Sequence, residues 1–254
     1  DKAFGLYEDL IEENPEWAEL YLRLGNLYGV NNEIEKALDI FEQGVQRFPD
    51  YVIFQNRYGR YLVLTGDNEK GIEQSKKAYA QMDDNAASAN RLGILYYYAG
   101  QLDSAVVYLE KAVEMTEGAN STHSHNLARA YCANAQFKEA ADAFREAHKL
   151  LDFQRVEEIY AASFGIGEYR KTTIQKYLKG IVDANSNLGA WGLFYKAYIG
   201  DIDKAMEYLE NNPNYISSNP LIITKDPMMD PLREDARFIK MLKDRGLDKY
   251  QNRK

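Results

Sequence analysis

The side chains with chemistry to offer are thinly spread over these 254 residues. His123 and His125 stand two apart. On a helix such residues point to different faces, whereas a chelating pair needs i+3 or i+4 spacing, so they do not read as a metal site. Cys132 follows His125 by two helical turns, about 10.5 Å of rise, too far for a nucleophile–base hydrogen bond. No G-x-x-x-x-G-K-[ST] loop, H-E-x-x-H, C-x-x-C or G-x-S-x-G motif occurs. Asn120-Ser121-Thr122 fits a glycosylation sequon, but without a secretory context it carries no weight. The expectation is a chain that is not an enzyme and takes no cofactor or metal. Recognition chemistry remains. An Asn amide both donates and accepts, so it can pair with an extended peptide backbone of any sequence. An Arg guanidinium can hold a carboxylate by two parallel contacts.

The elements that must position these groups are set by a repeat. Gly25, Gly59 and Gly93 are spaced by 34 residues, as are Ala37, Gly71 and Ala105; Gly66 and Gly100 share that interval. The stretch from Ala86 to Glu117 reads as two short helices meeting at Gly100-Gln101. Small residues (Gly25, Gly59, Gly93, Ala128) let two helix axes approach, and large ones (Tyr28, Leu62, Tyr96, Tyr131) fill the space beside them. A Gly inside a helix costs roughly 0.5–1 kcal/mol against Ala, so its recurrence at matched sites implies a packing reason. By the same logic the tyrosines, 20 against 10 phenylalanines, read mostly as core.

The period gives a half repeat over 1–16 and four repeats over 17–152, the fourth arriving one residue late. The half repeat is a second helix without its first, so Ala3 and Leu6 are expected on an incompletely covered face, and the parent chain is expected to continue upstream. Ser75 stands where Phe41 stood, so the second repeat is expected to pack less apolar area. Residues 153–212 read as degenerate helix pairs, Val156 to Ser163 with Thr172 to Ala184, then a recovery from Leu188. Residues 213–254 form a proline-rich capping segment and tail, with a helix start at Asp230-Pro231 and a frayed basic end from Lys249.

Composition excludes several classes. A net charge of −8 and a pI near 5.1 leave no basic stripe for nucleic acid. No apolar run reaches the ~18 residues of a membrane span. A single cysteine leaves the redox compartment open, with cytoplasm favoured over periplasm.

With these spacings in view, residues 1–152 resemble the tetratricopeptide-repeat family, and 187–212 do so more weakly. The ending DPMMDPLREDARFIKMLKDRGL, from Asp226 to Leu247, is similar to the close of repeat arrays in bacterial multidomain regulators such as winged-helix transcription factors, nucleotide cyclases and Ser/Thr kinases. Met229 replaces the usual aromatic there and Ala236 the second Pro. The resemblance implies an all-α, right-handed superhelical solenoid of antiparallel helix pairs. It implies a protein-protein interaction module, part of a larger signalling or regulatory protein, that takes a protein or peptide segment in a concave groove. The alternative is a structural or oligomerisation spacer packing on another domain, with self-association through the half repeat. In this family the first helices line the groove, which here points to Asn26, Asn56, Arg60, Asn90, Tyr97, His125 and Arg129. The Lys/Asn clamp by which some relatives hold a C-terminal carboxylate is not matched, since Leu22 and Ala87 replace Lys and Arg57 replaces Asn.

Overall fold

In the computed structural model, which describes residues 2–82, 85–165, 167–185 and 187–251, the apolar periodicity becomes helix, and no strand occurs among the described residues. In chain order the helices are α1 (Lys2–Glu13), α2 (Ala18–Val30), α3 (Ile34–Arg47), α4 (Val52–Thr65) and α5 (Asn68–Gln81). They continue with α6 (Ala86–Tyr98), α7 (Leu102–Glu114), α8 (Ser121–Ala133), α9 (Phe137–Leu150), α10 (Val156–Phe164) and α11 (Lys171–Ala184). The remainder are α12 (Gly189–Ile199), α13 (Ile202–Asn211), α14 (Pro213–Ser218), α15 (Pro220–Lys225) and α16 (Ala236–Lys243). No described helix is long and apolar enough to cross a membrane. Two compact units divide the chain: Asp1–Asp83 with Pro213–Lys225 and Leu242–Lys254, and Asp84–Asn212 with Asp226–Met241.

In the first unit, α2 packs on α3 and α4 on α5, and α3 stacks on α4. Tyr21, Leu24, Phe41 and Phe54 form its core. Phe4 stacks on Tyr28 at 4.8 Å, and Tyr7 and Ile11 lie against the same core. No residue of α1 is fully buried, and Leu6 remains 59% exposed. Where Ser75 replaces an aromatic, α4 and α5 close up instead. A Cβ on Gly59 would stand 2.7 Å from the carbonyl oxygen of Gly71 and 2.8 Å from Ser75 Oγ. The lost apolar area is thus offset by near contact of two backbones.

The end of the chain departs from the expected frayed tail. Lys249 Nζ and the Tyr250 hydroxyl both donate to Glu35 Oε1, at 2.5 and 2.6 Å, and Tyr250 is buried. A tyrosine ring with apolar surface to bury holds a segment whose charges alone would leave it in water. Residues 252–254 lie outside the described ones. The prolines Pro213 and Pro220 each open a short helix, the position where a missing N–H costs nothing.

In the second unit, α6 packs on α7 and α8 on α9, with α7 stacked on α8. The degenerate stretch forms two further pairs, α10 with α11 and α12 with α13. The segment after Lys225 begins one Asp-Pro earlier than the sequence suggested. Asp226, not Asp230, caps the 3-10 helix Pro227–Leu232 by accepting from Met228 N at 2.8 Å, and Pro231 lies inside that helix. Helix α16 is capped instead by Asp235, whose Oδ1 accepts from Arg237 N at 2.8 Å. Met228, Met229 and Leu232 are buried, and the 3-10 helix packs on α12.

Candidate partner-binding surface

The residues expected to line one groove fall in two settings. In the second unit, α8 is buried continuously from His123 to Cys132. A helix enclosed on every side signals that something covers its polar face. At its centre Arg129, 3% exposed, forms an ion pair with the fully buried Asp226. The same carboxylate accepts from the Tyr97 hydroxyl at 2.9 Å. Arg129 also donates to Asn126 Oδ1 at 3.0 Å and to the Tyr98 hydroxyl at 3.2 Å, with its guanidinium 4.6 Å from the Phe194 ring centre. Asn126 in turn donates to Asn90 Oδ1 at 3.0 Å. Arg129 therefore does what its chemistry suggested, but the carboxylate it holds belongs to its own chain. Tyr97 and Arg129 are assembled around that carboxylate and are buried, while Asn90 is half-buried and meets only Asn126 of this cluster. The physical reason is apolar: Met228, Met229 and Leu232 carry Asp226 into the site with them.

His125 is likewise turned inward. Its Nδ1 lies 2.8 Å from Ser121 O, which can only accept, so Nδ1 carries the proton and Nε2 accepts from the Tyr195 hydroxyl. Tyr195 then accepts from His148 Nε2 at 2.8 Å, and His148 Nδ1 accepts from the Tyr177 hydroxyl at 2.8 Å. The chain closes with every member neutral. Burial pushes His125 down to about 3, drives His148 well below its ordinary value, and raises Tyr195 well above. Burial lifts the Cys132 thiol to about 12, which keeps it protonated near neutral pH. Among the described residues no cluster of three His, Cys, Asp or Glu could hold a metal ion.

In the first unit the matching wall, on α2 and α4, stays partly open. A cavity of about 180 Å³ is lined by Asn26, Arg57, Arg60 and Tyr61 on one side and by Ser217 and Ser218 on the other. Asn26 and Arg60 are exposed, and Asn56, also on α4, is half-buried. Helix α14 packs on α2 and α15 on α4, and Asn32 Nδ2 donates to Ser217 Oγ at 3.3 Å. Burial raises the Tyr61 hydroxyl, and the charges of Arg60 and Arg57 pull it the other way.

Asp226, Asn126 and Ser217 were not anticipated. Asp226 stands 97 positions beyond Arg129, and its only local signal is a capping Asp-Pro. Ser217 carries no signal at all.

Two tetratricopeptide-repeat family profiles match the chain, one over residues 22–87 and one over 85–124. No curated protein matches it. Among solved structures, it is similar to YrrB, described as a TPR protein with an unusual peptide-binding site, at 21% identity over 72% of this chain and 93% of that one, TM-score 0.51. It is similar to the C-terminal part of a TPR repeat-containing protein from Cytophaga hutchinsonii at 16% identity over 95% and 93% of the two chains, TM-score 0.56. A third similar structure is the APC/C hetero-tetramer Cut9-Hcn1, at 16% identity over 96% of this chain and 46% of that one, TM-score 0.57. At such identities the likeness is one of fold. It agrees with the all-α helix-pair class, whose members are generally non-catalytic protein-interaction modules. The profiles and the 34-residue register of Gly25, Gly59 and Gly93 agree on one conclusion: residues 22–124 match tetratricopeptide repeats.

Proposed function

We propose that this protein binds a segment of a partner protein on the first-helix wall of its first unit, along Asn26, Asn56 and Arg60. The observation that carries this reading is the cavity where exposed Asn26 and Arg60 meet Ser217. The matching wall of the second unit is already filled by Asp226 and the residues after it. YrrB, similar in fold, is described as having a peptide-binding site. The setting within a larger bacterial signalling protein is supported by the ending from Asp226 to Leu247 alone. Selection from a displayed peptide library on the intact protein tests the reading. Enriched peptides should lose binding to the triple variant Asn26→Ala, Asn56→Ala, Arg60→Ala. They should keep it in Val107→Ala, a change at an exposed residue of α7. No enrichment, or equal binding to the triple variant, would exclude this wall.

A second reading, self-association through α1, is favoured by one observation: the 59% exposure of Leu6 on a helix with no buried residue. If it holds, Leu6→Gln should lower the apparent mass in light scattering. A monomer with Leu6 intact removes it.

A further inference from the structure

The residue by which the fourth repeat runs late lies in the linker from Glu117 to Asn120, and that linker forms one wall of a groove in the second unit. The groove encloses about 820 Å³, within the ~300–1,000 Å³ of ligand pockets. Leu127 and Tyr131 of α8, with Val113 at the end of α7, make its floor. The far wall is one stripe of α9, where Glu139, Asp142 and Glu146 recur at i, i+3 and i+7 and Leu150 stands 45% exposed at the rim. The linker wall is fixed: Gly118 N donates to Val113 O at 2.9 Å and Ala119 N to Thr116 O at 2.8 Å. Glu117 sits there at φ 49°, a left-handed conformation that Gly or Asn takes with less strain.

The lining is far more acidic than the chain. Glu117, Glu139, Asp142 and Glu146 share it with one cation, Lys149, whereas the whole sequence has 39 acids to 31 bases. Lys149 is already held by Glu146 and Glu157, and Asp142 by Lys138 and the Tyr160 hydroxyl. Glu117 and Glu139 are exposed and form no ion pair among the described residues. The charge of Glu139 reaches the floor, where it adds to burial and Glu110 in raising the Tyr131 hydroxyl.

We infer that this groove docks a basic segment of a partner protein: an Arg or Lys lays its aliphatic stem on Leu127 and Val113 and carries its cation to Glu117 and Glu139, beside a large apolar residue against Leu150. The surface lies in the other unit from Asn26 and Arg60 and does not depend on the reading of that wall. Its chemistry favours this occupant over two others. An uncharged apolar segment would cover Glu117 and Glu139 without giving them a partner, and a free polyamine would leave Leu150 in water. The rim acids are exposed, so each contact is weak singly and falls with salt.

The test uses the full chain labelled with ¹⁵N and four probes. These are an acetylated, amidated peptide with one Arg between two Leu on a Gly/Ser background, its citrulline counterpart, its counterpart with Gly for both Leu, and spermidine. The Arg peptide should move the amide signals of Gly118 and Ala143, which line the groove. Citrulline keeps the shape of Arg without the charge, and its peptide should bind at least ~10-fold more weakly, a loss of about 1.4 kcal/mol. The Gly counterpart should also bind more weakly. Glu117→Gln with Glu139→Gln should remove most of the preference for Arg over citrulline while signals outside the groove stay in place. The triple variant Asn26→Ala, Asn56→Ala, Arg60→Ala should bind the Arg peptide as the parent does, so the two surfaces are read separately. Equal binding of the Arg and citrulline peptides, an unaltered preference in the double Gln variant, shifts with spermidine alone, or no shift with any probe overturns the inference. Library peptides that still need Asn56 while the Arg peptide fails would leave the proposed function standing without this groove.

Discussion

Asp226 and Glu35 are each held by a cation and a tyrosine, and their surroundings are opposite. Asp226 is gripped by Arg129 and Tyr97 inside the second unit, where neither charged side chain exceeds 3% exposure. Glu35 takes Lys249 and Tyr250 at the surface of the first unit, where the two charged side chains are 56% and 59% exposed. Donor types and acceptor are nearly the same, yet the contacts cannot be worth the same. When a surface partner leaves, water takes its place at little cost. When a buried partner leaves, the remaining charge stays in a medium that cannot solvate it. What a contact contributes is set by what would replace it.

The largest effect follows directly. Arg129→Met should strand the Asp226 carboxylate and cost about 3–5 kcal/mol. The pair Arg129→Met with Asp226→Leu should cost less than the two single changes added together, since no charge is then left unpaired. Urea unfolding followed by Trp191, which stacks on His125 at 4.1 Å, reads the second unit once Trp17 is replaced by Phe. A loss below ~1 kcal/mol for Arg129→Met would mean that water reaches Asp226.

Acid should separate the two units next. All three histidines, His123, His125 and His148, lie in the second unit. Burial is the main cause that lowers His125 to about 3 and His148 well below 6.5. In the unfolded chain both titrate near 6.5, so as pH falls the unfolded state takes up protons first. The stability tied to their neutrality is complete above about pH 6.5 and is lost as pH falls from there toward about 3. Each histidine should contribute about 1.4 kcal/mol per pH unit in that window, roughly 3 kcal/mol for both at about pH 5.5. The Trp191 midpoint should therefore drop between about pH 7.5 and 5.5 while hydrogen-exchange protection of α3, corrected for intrinsic rates, changes little. A midpoint independent of pH would mean that the histidines take up protons equally in the folded and unfolded states.

The repeat was legible because it is local: Gly59 and Gly93 declare a helix crossing through their spacing and their neighbours. The cover over the second unit was not, because it depends on pairs distant in sequence. Arg129 was readable as a carboxylate holder from its side chain alone. Nothing near it points to Asp226, and nothing near Asp226 distinguishes a buried counter-ion from a helix cap; it is both. His125 was misplaced for the same reason, since Tyr195 and Trp191 come 70 and 66 residues later. Asn26 and Arg60 are exposed, and Ser217, from far along the chain, lines the same cavity.

A smaller effect sharpens the packing side of the comparison. A Cβ on Gly93 would meet Leu109 Cγ at 2.7 Å and Leu109 N at 3.1 Å. Gly93→Leu should overpack α6 against α7 and cost about 1–3 kcal/mol, measured as a lower urea midpoint. Gln101→Leu, at an exposed position, should stay within about 0.5 kcal/mol. Equal midpoints for the two variants would refute the assigned crossing.

The smallest effect belongs to the surface cluster. Lys249→Ala should cost no more than ~1 kcal/mol, because Glu35 is left to water and an exposed ion pair contributes little. Tyr250→Phe keeps the buried ring and loses only the hydroxyl contact, about 1 kcal/mol. A double-mutant cycle on Lys249 and Glu35 should give a coupling that largely vanishes at about 0.5 M NaCl, where the Debye length is shorter than the reach of these side chains. The same cycle on Arg129 and Asp226 should keep its coupling at that salt, since no ions enter between them. If instead Lys249 and Glu35 couple by more than ~2 kcal/mol at high salt, exposure does not govern the strength of these two sites, and the contrast between them fails.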